Sequence, residues 1–199
     1  MSRLTKQIEF IKEMDKLKDI ERVIRLINGS RHENTAEHSW HLALMTILLA
    51  EYSNKKIDVL KTLKMIIVHD IIEIDAGDTF IYDEAGNKTK ADREEKAAQR
   101  LFHILPDDQA KEFHNVWKEF EDRKTPEAQF AHSIDRLQPN MMNFYSAESV
   151  WKSHNLTKSQ VTSKAKIIED GSKELWKQAQ KFIDEGMKKG LLRENSNNN

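Results

Sequence analysis

The sequence predicts an all-α fold, a compact single-domain helical bundle, and three observations predict it. Only 6 glycines and 3 prolines occur in 199 residues, too few for the turn-rich sandwiches, barrels or doubly wound sheets. Charged residues reach 33%, in a chain rich in helix formers. Apolar residues recur every three or four positions through most of the chain. The length fits one domain and shows no repeat period. We expect that domain over residues 1–190, and a disordered polar tail over 191–199 ending in Glu194-Asn-Ser-Asn-Asn-Asn.

In order, Ile8, Ile11, Leu17, Ile20, Ile24 and Ile27 predict a first helix over about 5–27, stopped by Asn28-Gly29-Ser30. Asn34, with Glu37 three residues later, reads as a capping box for a second helix over about 35–53, with Trp40, Leu44, Ile47 and Leu48 as its apolar stripe. Asp58 opens a third, on which Val59, Leu60, Leu63, Ile66, Ile67 and Ile71 share one broad face, ending near Glu73 or Ile74. Residues 75–89 read as a loop, and at that length loops are often functional. Further helices are expected over about 90–104, 107–121, 126–146 and 158–189, with Asn155 to Thr157 as a break and Pro139 as a local kink.

Composition narrows the chemistry. The 32 Lys and Arg against 33 Asp and Glu leave a net charge of -1, so no global field recruits nucleic acid or an anionic membrane. The absence of cysteine removes disulfides, thiolate nucleophiles and thiolate zinc sites, which leaves His, Asp and Glu as metal ligands. The N-terminus lacks the roughly 7–15 residue apolar core of a signal, and no stretch approaches the ~20 apolar residues of a span. A cytoplasmic protein is therefore expected, with a small-molecule partner.

The informative stretch is Met65-Ile-Ile-Val-His-Asp-Ile-Ile-Glu-Ile74, where His69, Asp70 and Glu73 interrupt an apolar run. Burying such groups is costly unless they are paired or metal-bound. On a helix, His69 and Glu73 stand at i and i+4, and Asp70 and Glu73 at i and i+3, so all three reach one rim. Alone the dipeptide says little, since chance supplies about one His-Asp pair in two such chains. His38, some thirty residues earlier near a helix start, and Asp135, in another mainly apolar stretch, add a ligand type from two further helices. If His38 lies in the first turn of its helix, the positive helix end favours its neutral, ligand-competent imidazole.

Glu37-His38, His69-Asp70 with Glu73, and Asp135 together resemble the HD-domain metal-dependent phosphohydrolase superfamily. Glu33-Asn34-Thr35-Ala36-Glu37-His38-Ser39 and His69 to Asp78 resemble its YfbR-like 5'-deoxynucleotidase branch, over roughly residues 15–145. The resemblance implies metal ligation by His38, His69, Asp70 and Asp135. It implies a phosphate-orienting, catalytic Arg22 on the first helix, catalytic assistance from Glu73, contacts of Asp78 with both the substrate and the attacking water, and a substrate contact from Thr79. Arg31 and Arg136 are reserves for the phosphate. Where the branch has tryptophan after that arginine, placed against the sugar to disfavour a ribose 2'-hydroxyl, this chain has Val23. That departure puts discrimination between deoxyribose and ribose in doubt. The implied activity is that of a 5'-nucleotidase in nucleotide metabolism, and the implied assembly a homodimer.

A two-His, two-Asp set suits Mn²⁺, Co²⁺, Fe²⁺, Ni²⁺ or Zn²⁺, with Mg²⁺ less well matched. Four ligands leave open positions for a phosphate oxygen and a water. Within enzymes the competing reading is a triphosphohydrolase, a phosphodiesterase or an alarmone hydrolase. Outside them it is a helical interaction module with a structural metal, which would need neither Glu73 nor Asp78. His41, His103, His114, His132 and His154 read as core-edge or surface residues. Trp117, Phe120, Phe130, Phe144, Tyr145 and Trp151 read as core or dimer packing. Lys88 to Arg100 and Lys173 to Lys189 read as solvated helix faces.

Overall fold

The computed structural model describes residues 1–194. Helix α1 (Arg3–Met14) starts at Ser2, whose hydroxyl accepts the Thr5 N–H. It stops well short of residue 27. A 3-10 turn (Asp15–Asp19) leads into two antiparallel strands, β1 (Glu21–Arg25) and β2 (His32–Asn34). The expected helix fails because β-branched Ile20, Val23 and Ile24 suit extended backbone as well as helix, and the chain folds back through Asn28-Gly29 to pair its strands.

Helix α2 (Thr35–Leu49) carries the expected capping box: Asn34 accepts from the Glu37 N–H and Glu37 accepts from the Asn34 N–H. Such a cap contributes about 1 kcal/mol. It fixes where the helix begins and so where His38 points. The apolar stripe expected to face the core faces outward instead: Trp40 is 67% and Leu48 62% exposed, while His38, Leu42, Met45 and Thr46 are buried. α2 is apolar nearly all round, so periodicity cannot choose its inner face.

Helix α3 (Val59–Val68), capped by Asp58, tightens into a 3-10 turn over His69–Ile72 before α4 (Glu73–Ala76). Gly77, at φ +73, ends α4 and its N–H reaches the Glu73 carbonyl at 2.8 Å. A side chain there would be strained. The reversal brings Asp78 back beside Glu73. The expected loop is shorter than read, because Asp83 accepts the Ala85 and Gly86 N–H groups and starts α5 (Glu84–Phe102).

α6 (Asp107–Asp122) and α7 (Pro126–Tyr145) follow as expected, with Pro139 inside α7. α8 (Val150–Ser153) was not foreseen. The long final helix is three pieces: α9 (Lys158–Ala165), α10 (Ile168–Gly171) and α11 (Lys173–Lys188). Fully buried Ser172 separates the last two, accepting the Leu175 N–H and donating to the Tyr52 carbonyl. Side-chain capping of this kind competes with helix continuation. The expected tail begins too early, since Leu192 is buried and the Arg193 N–H donates to the Leu156 carbonyl. Residues 195–199 of that tail lie outside the described residues.

Two apolar clusters form the interior. One joins α2, α3, α7 and α9 to α11, and the other joins α1, α5 and α6. The His69–Ile72 turn lies at their junction, with Met65 and Ile66 before it in the first cluster and Ile71 and Ile72 in the second. α10 crosses α7 so closely that a Cβ on Gly171 would stand 2.3 Å from Ser133 Oγ and 2.4 Å from the Gln129 carbonyl. That contact is two residues from Asp135.

Candidate metal centre

The four expected ligands come from three parts of this framework. His38 is the fourth residue of α2, His69 and Asp70 open the 3-10 turn, and Asp135 lies midway along α7. His38 is fully buried, and its Nε2 is 3.1 Å from Asp135 Oδ1 and 3.9 Å from Asp70 Oδ2. His69 Nε2 is 3.0 Å from Asp70 Oδ1 and 3.9 Å from Asp135 Oδ1. Ligand atoms of His38, His69 and Asp135 all fall within 4.8 Å of one another. Asp70 adjoins this trio and is tied on its other side to Arg22, 2.9 Å away.

His69 Nδ1 is 2.7 Å from the Ile66 carbonyl. A carbonyl only accepts, so Nδ1 carries the hydrogen and Nε2 faces two carboxylates with its lone pair. That buried Nε2 has no hydrogen-bond partner. Acceptor facing acceptor is repulsive unless a proton or a cation stands between them. Donors about 2.0–2.2 Å from a shared ion lie up to roughly 4.4 Å apart, so only a slight contraction would close the trio on one ion. The residues fit a nitrogen- and oxygen-ligated divalent cation.

Protonation follows the same logic. Burial and Arg22 oppose charge on His38, yet Asp135, Glu33 and Asp70 outweigh them and its pKa is raised. The helix end expected to keep His38 neutral does not prevail against three carboxylates. Burial likewise opposes charge on His69, and Asp70 and Asp135 overturn it, lifting its pKa to about 9. Asp70 and Asp135 are held below the usual carboxylate range despite burial, by His69 and Arg22 in one case and His38 and Arg136 in the other. Protons occupy the space a cation would take, and binding would expel them.

Arg22 reaches the site from strand β1 rather than from a helix. It lies 3.4 Å from Glu73 and 3.7 Å from Asp78. Glu73 also accepts the Thr35 hydroxyl at 2.8 Å. Burial, then Asp70, raises its carboxyl to about 8, with Arg22 opposing. Thr79 accepts from Arg93 at 2.9 Å on the wall of the same cavity. That cavity, of about 550 Å³, is bounded by Arg22, Asp70, Glu73, Asp78, Asp135 and Arg136 among others. Arg136 lies 3.6 Å from Asp135, whereas Arg31 pairs with Glu37 on the outer surface and takes no part.

Two participants carry no role in the sequence reading. Glu33, 2% exposed, lies 3.3 Å from His38 Nδ1, and Gln138, fully buried, donates to Glu33 at 2.8 Å. Glu33 belongs to the motif that carries the family resemblance, but a glutamate beside a capping residue gives no sign of burial. Gln138 comes within reach only because α7 passes behind β2. His41, read as a bystander, lies 3.3 Å from Gln138 on the edge of this network.

The chain matches the family described as HD domain over residues 14–176. A crystal structure described as a predicted metal-dependent phosphohydrolase from Magnetospirillum magnetotacticum MS-1 superposes with a TM-score of 0.92 at 48% identity, covering 96% of each chain. The 5'-deoxynucleotidase HDDC2 of Bos taurus is 29% identical over 135 residues, 66% of this chain and 63% of that protein. The protein of that name from Dictyostelium discoideum is 29% identical over 141 residues, 68% of this chain and 74% of that one. The chain thus spans just under two thirds of the bovine relative.

Proposed function

The chain belongs to the HD domain family, and from that premise we propose that it is a metal-dependent phosphohydrolase releasing phosphate from 5'-monophosphates of deoxyribo- and ribonucleosides. The observation that carries the proposal is the convergence of His38, His69 and Asp135, with Asp70 beside them, next to a cavity that His69, Asp70 and Asp135 line together with Arg22, Glu73 and Asp78. A structural metal site would need no such cavity and no such extra groups.

His38, His69, Asp70 and Asp135 would hold the ion. When bound, it supplies Lewis acidity that makes water a nucleophile near neutral pH and polarises phosphoryl oxygens. Arg22 and Arg136 would stabilise the charge that develops on those oxygens. Asp78 would orient the attacking water. Glu73 would take the proton of that water as its oxygen bonds phosphorus and the P–O5' bond breaks. The proton then passes to the departing 5'-oxygen, so charge and protons balance. Thr79 would contact the substrate.

Behind Arg22 and Asp78 the cavity continues into a recess lined by Val23, Phe80, Tyr82 and Asn140, where the nucleoside would lie. The donor set supports Mn²⁺, Co²⁺, Fe²⁺, Ni²⁺ or Zn²⁺ over Mg²⁺. Among the described residues no helix is long and apolar enough to cross a membrane. We assign a cytoplasmic setting, a small nucleotide rather than nucleic acid as partner, and a working unit of two identical copies.

The test strips the metal with a chelator, restores Mn²⁺, Co²⁺, Zn²⁺ or Mg²⁺ singly, and measures phosphate release from a panel of deoxyribo- and ribonucleoside monophosphates. Release that needs one of the transition ions and is lost in Asp70→Ala supports the reading. Release that survives chelation, or is unchanged in Asp70→Ala, overturns the mechanism. A protein that hydrolyses only triphosphates, phosphodiesters or alarmones overturns the substrate.

A further inference from the structure

Asp78 is carried by a segment with little main-chain support. Among the described residues, no backbone N–H from Asp78 to Tyr82 donates to another backbone group, and in that stretch only the Phe80 carbonyl accepts one, from Asp83 at 2.8 Å. The support comes from side chains of α5 instead. Asn87 donates to the Phe80 carbonyl at 3.2 Å and to the Asp83 carbonyl at 2.6 Å. Arg93 donates through Nη1 to the Ala76 carbonyl, and through Nη2 to the Thr79 hydroxyl at 2.9 Å and the Gly86 carbonyl at 3.2 Å. Its Nε reaches the Thr89 hydroxyl at 3.4 Å, so all four of its hydrogen bonds end on uncharged oxygens. One planar group thus ties together the end of α4, the loop and the first turn of α5, and Asp78 sits between the first two anchors. Gly86 lets α5 begin this close, since a Cβ there would stand 3.2 Å from the Thr79 methyl group. Asp78 and Thr79 line the cavity, whereas Arg93 stands behind them.

We propose, on the phosphohydrolase reading, that Arg93 is a positioning residue for the reaction, a clamp that holds Asp78 where it can orient the attacking water. An arginine kept for its charge gains most from a carboxylate. This one spends its donors on a hydroxyl and on carbonyls from three segments, which a planar fork can meet at once and a single ammonium group cannot. With Ala76 and Thr79 both held, the Asp78 carboxylate stands 3.7 Å from Arg22. Without the clamp the segment is free to turn about Gly77, whose φ of +73 marks a residue of wide backbone freedom, and the carboxylate leaves its place. The metal ligands lie on other elements and keep theirs.

The test compares the full chain with Arg93→Ala and Arg93→Lys. In the Mn²⁺-loaded protein both variants should lower kcat for a deoxyribonucleoside monophosphate by on the order of a hundredfold, the cost of misplacing a catalytic group by about 1 Å. KM, and Mn²⁺ affinity by calorimetry, should stay within about fivefold, because neither the substrate nor the ion touches Arg93. In an Asp78→Ala background, Arg93→Ala should cost less than about threefold more, since a residue that acts through another has nothing left to place. Hydrogen exchange in the metal-free chain should quicken by at least about tenfold over residues 77–83 and stay unchanged in α2, α3 and α7. If Arg93→Ala does not fold, Arg93→Lys carries the same comparisons. A kcat within about twofold of wild type overturns the proposal, as does a rate restored by lysine, a fall matched by lost Mn²⁺ affinity, a cost undiminished by Asp78→Ala, or unaltered exchange over 77–83. Exchange is read without turnover. A wild-type chain that releases no phosphate therefore counts against the phosphohydrolase reading, and an active chain indifferent to Arg93 counts against the clamp alone.

Discussion

His69 and His132 both pack against Phe120, with ring centroids 4.8 and 3.9 Å away, and both are nearly buried. Each spends one ring nitrogen on a backbone carbonyl, His69 on Ile66 and His132 on Phe120. Their acid–base behaviour diverges all the same. Burial pushes His132 down to about 4, whereas two facing carboxylates lift His69 to about 9. Burial alone thus makes a histidine an inert packing group. A second ring nitrogen aimed at carboxylates makes it a place for a proton or a cation.

The largest test of that contrast removes the carboxylates. Asp135→Ala should abolish metal binding and lower phosphate release by at least about a thousandfold, and His69 in that variant should titrate below its present value when followed by NMR. His132→Asn should leave metal affinity within a fewfold, as calorimetry would show. Tight metal binding by Asp135→Ala, or its loss in His132→Asn, would break the contrast.

The second test is pH. In the metal-free chain His69 stands above its ordinary 6.5, so its contribution to stability is complete below that value and disappears as pH rises through about 9. Glu73, raised to about 8, contributes fully only below its ordinary 4.5 and loses that contribution as pH rises from there through about 8. His132 stands below 6.5, so its contribution is present above that pH and disappears as pH falls through about 4. Urea midpoints in chelator from pH 4 to 10 should therefore fall at both ends. His69→Asn should flatten the alkaline side, worth on the order of 3 kcal/mol, and His132→Asn the acid side. Saturating metal should remove the alkaline fall, because a ligating imidazole has no proton to lose.

A smaller effect is expected one layer out. Glu33→Gln keeps the shape of the Glu33–Gln138 contact and removes the charge behind His38 Nδ1. Metal affinity should fall about 10- to 100-fold, the usual cost of losing a partner behind a ligand. An unchanged affinity would show that Glu33 serves only to fill space.

The all-helical class, the Asn34–Glu37 cap and the His69-Asp70-Glu73 cluster were legible in the sequence because each rests on spacing within a few residues. The β1–β2 hairpin was not, since Ile20, Val23 and Ile24 satisfy helical and extended patterns alike and the pairing partner lies around a turn. The breaks at Ser172 and Asp83 depend on side chains folding back on the backbone, which composition does not reveal. The inward side of α2 was misread because one sequence cannot show that a helix has two apolar faces. Asp135 was visible by resemblance, but the burial of Glu33 arises only when α7 packs behind β2.

Gly171 has a bearing on how this protein could be tuned. It is the pivot on which the Asp135-bearing helix rests, and nothing larger than hydrogen fits between it and Ser133. A methyl group introduced there would lever the carboxylate away from its histidines without changing any residue that faces the cavity. Laboratory variants that lose cation affinity through substitutions near residue 171 would then be reporting on the spacing of two rods, not on the identity of a donor.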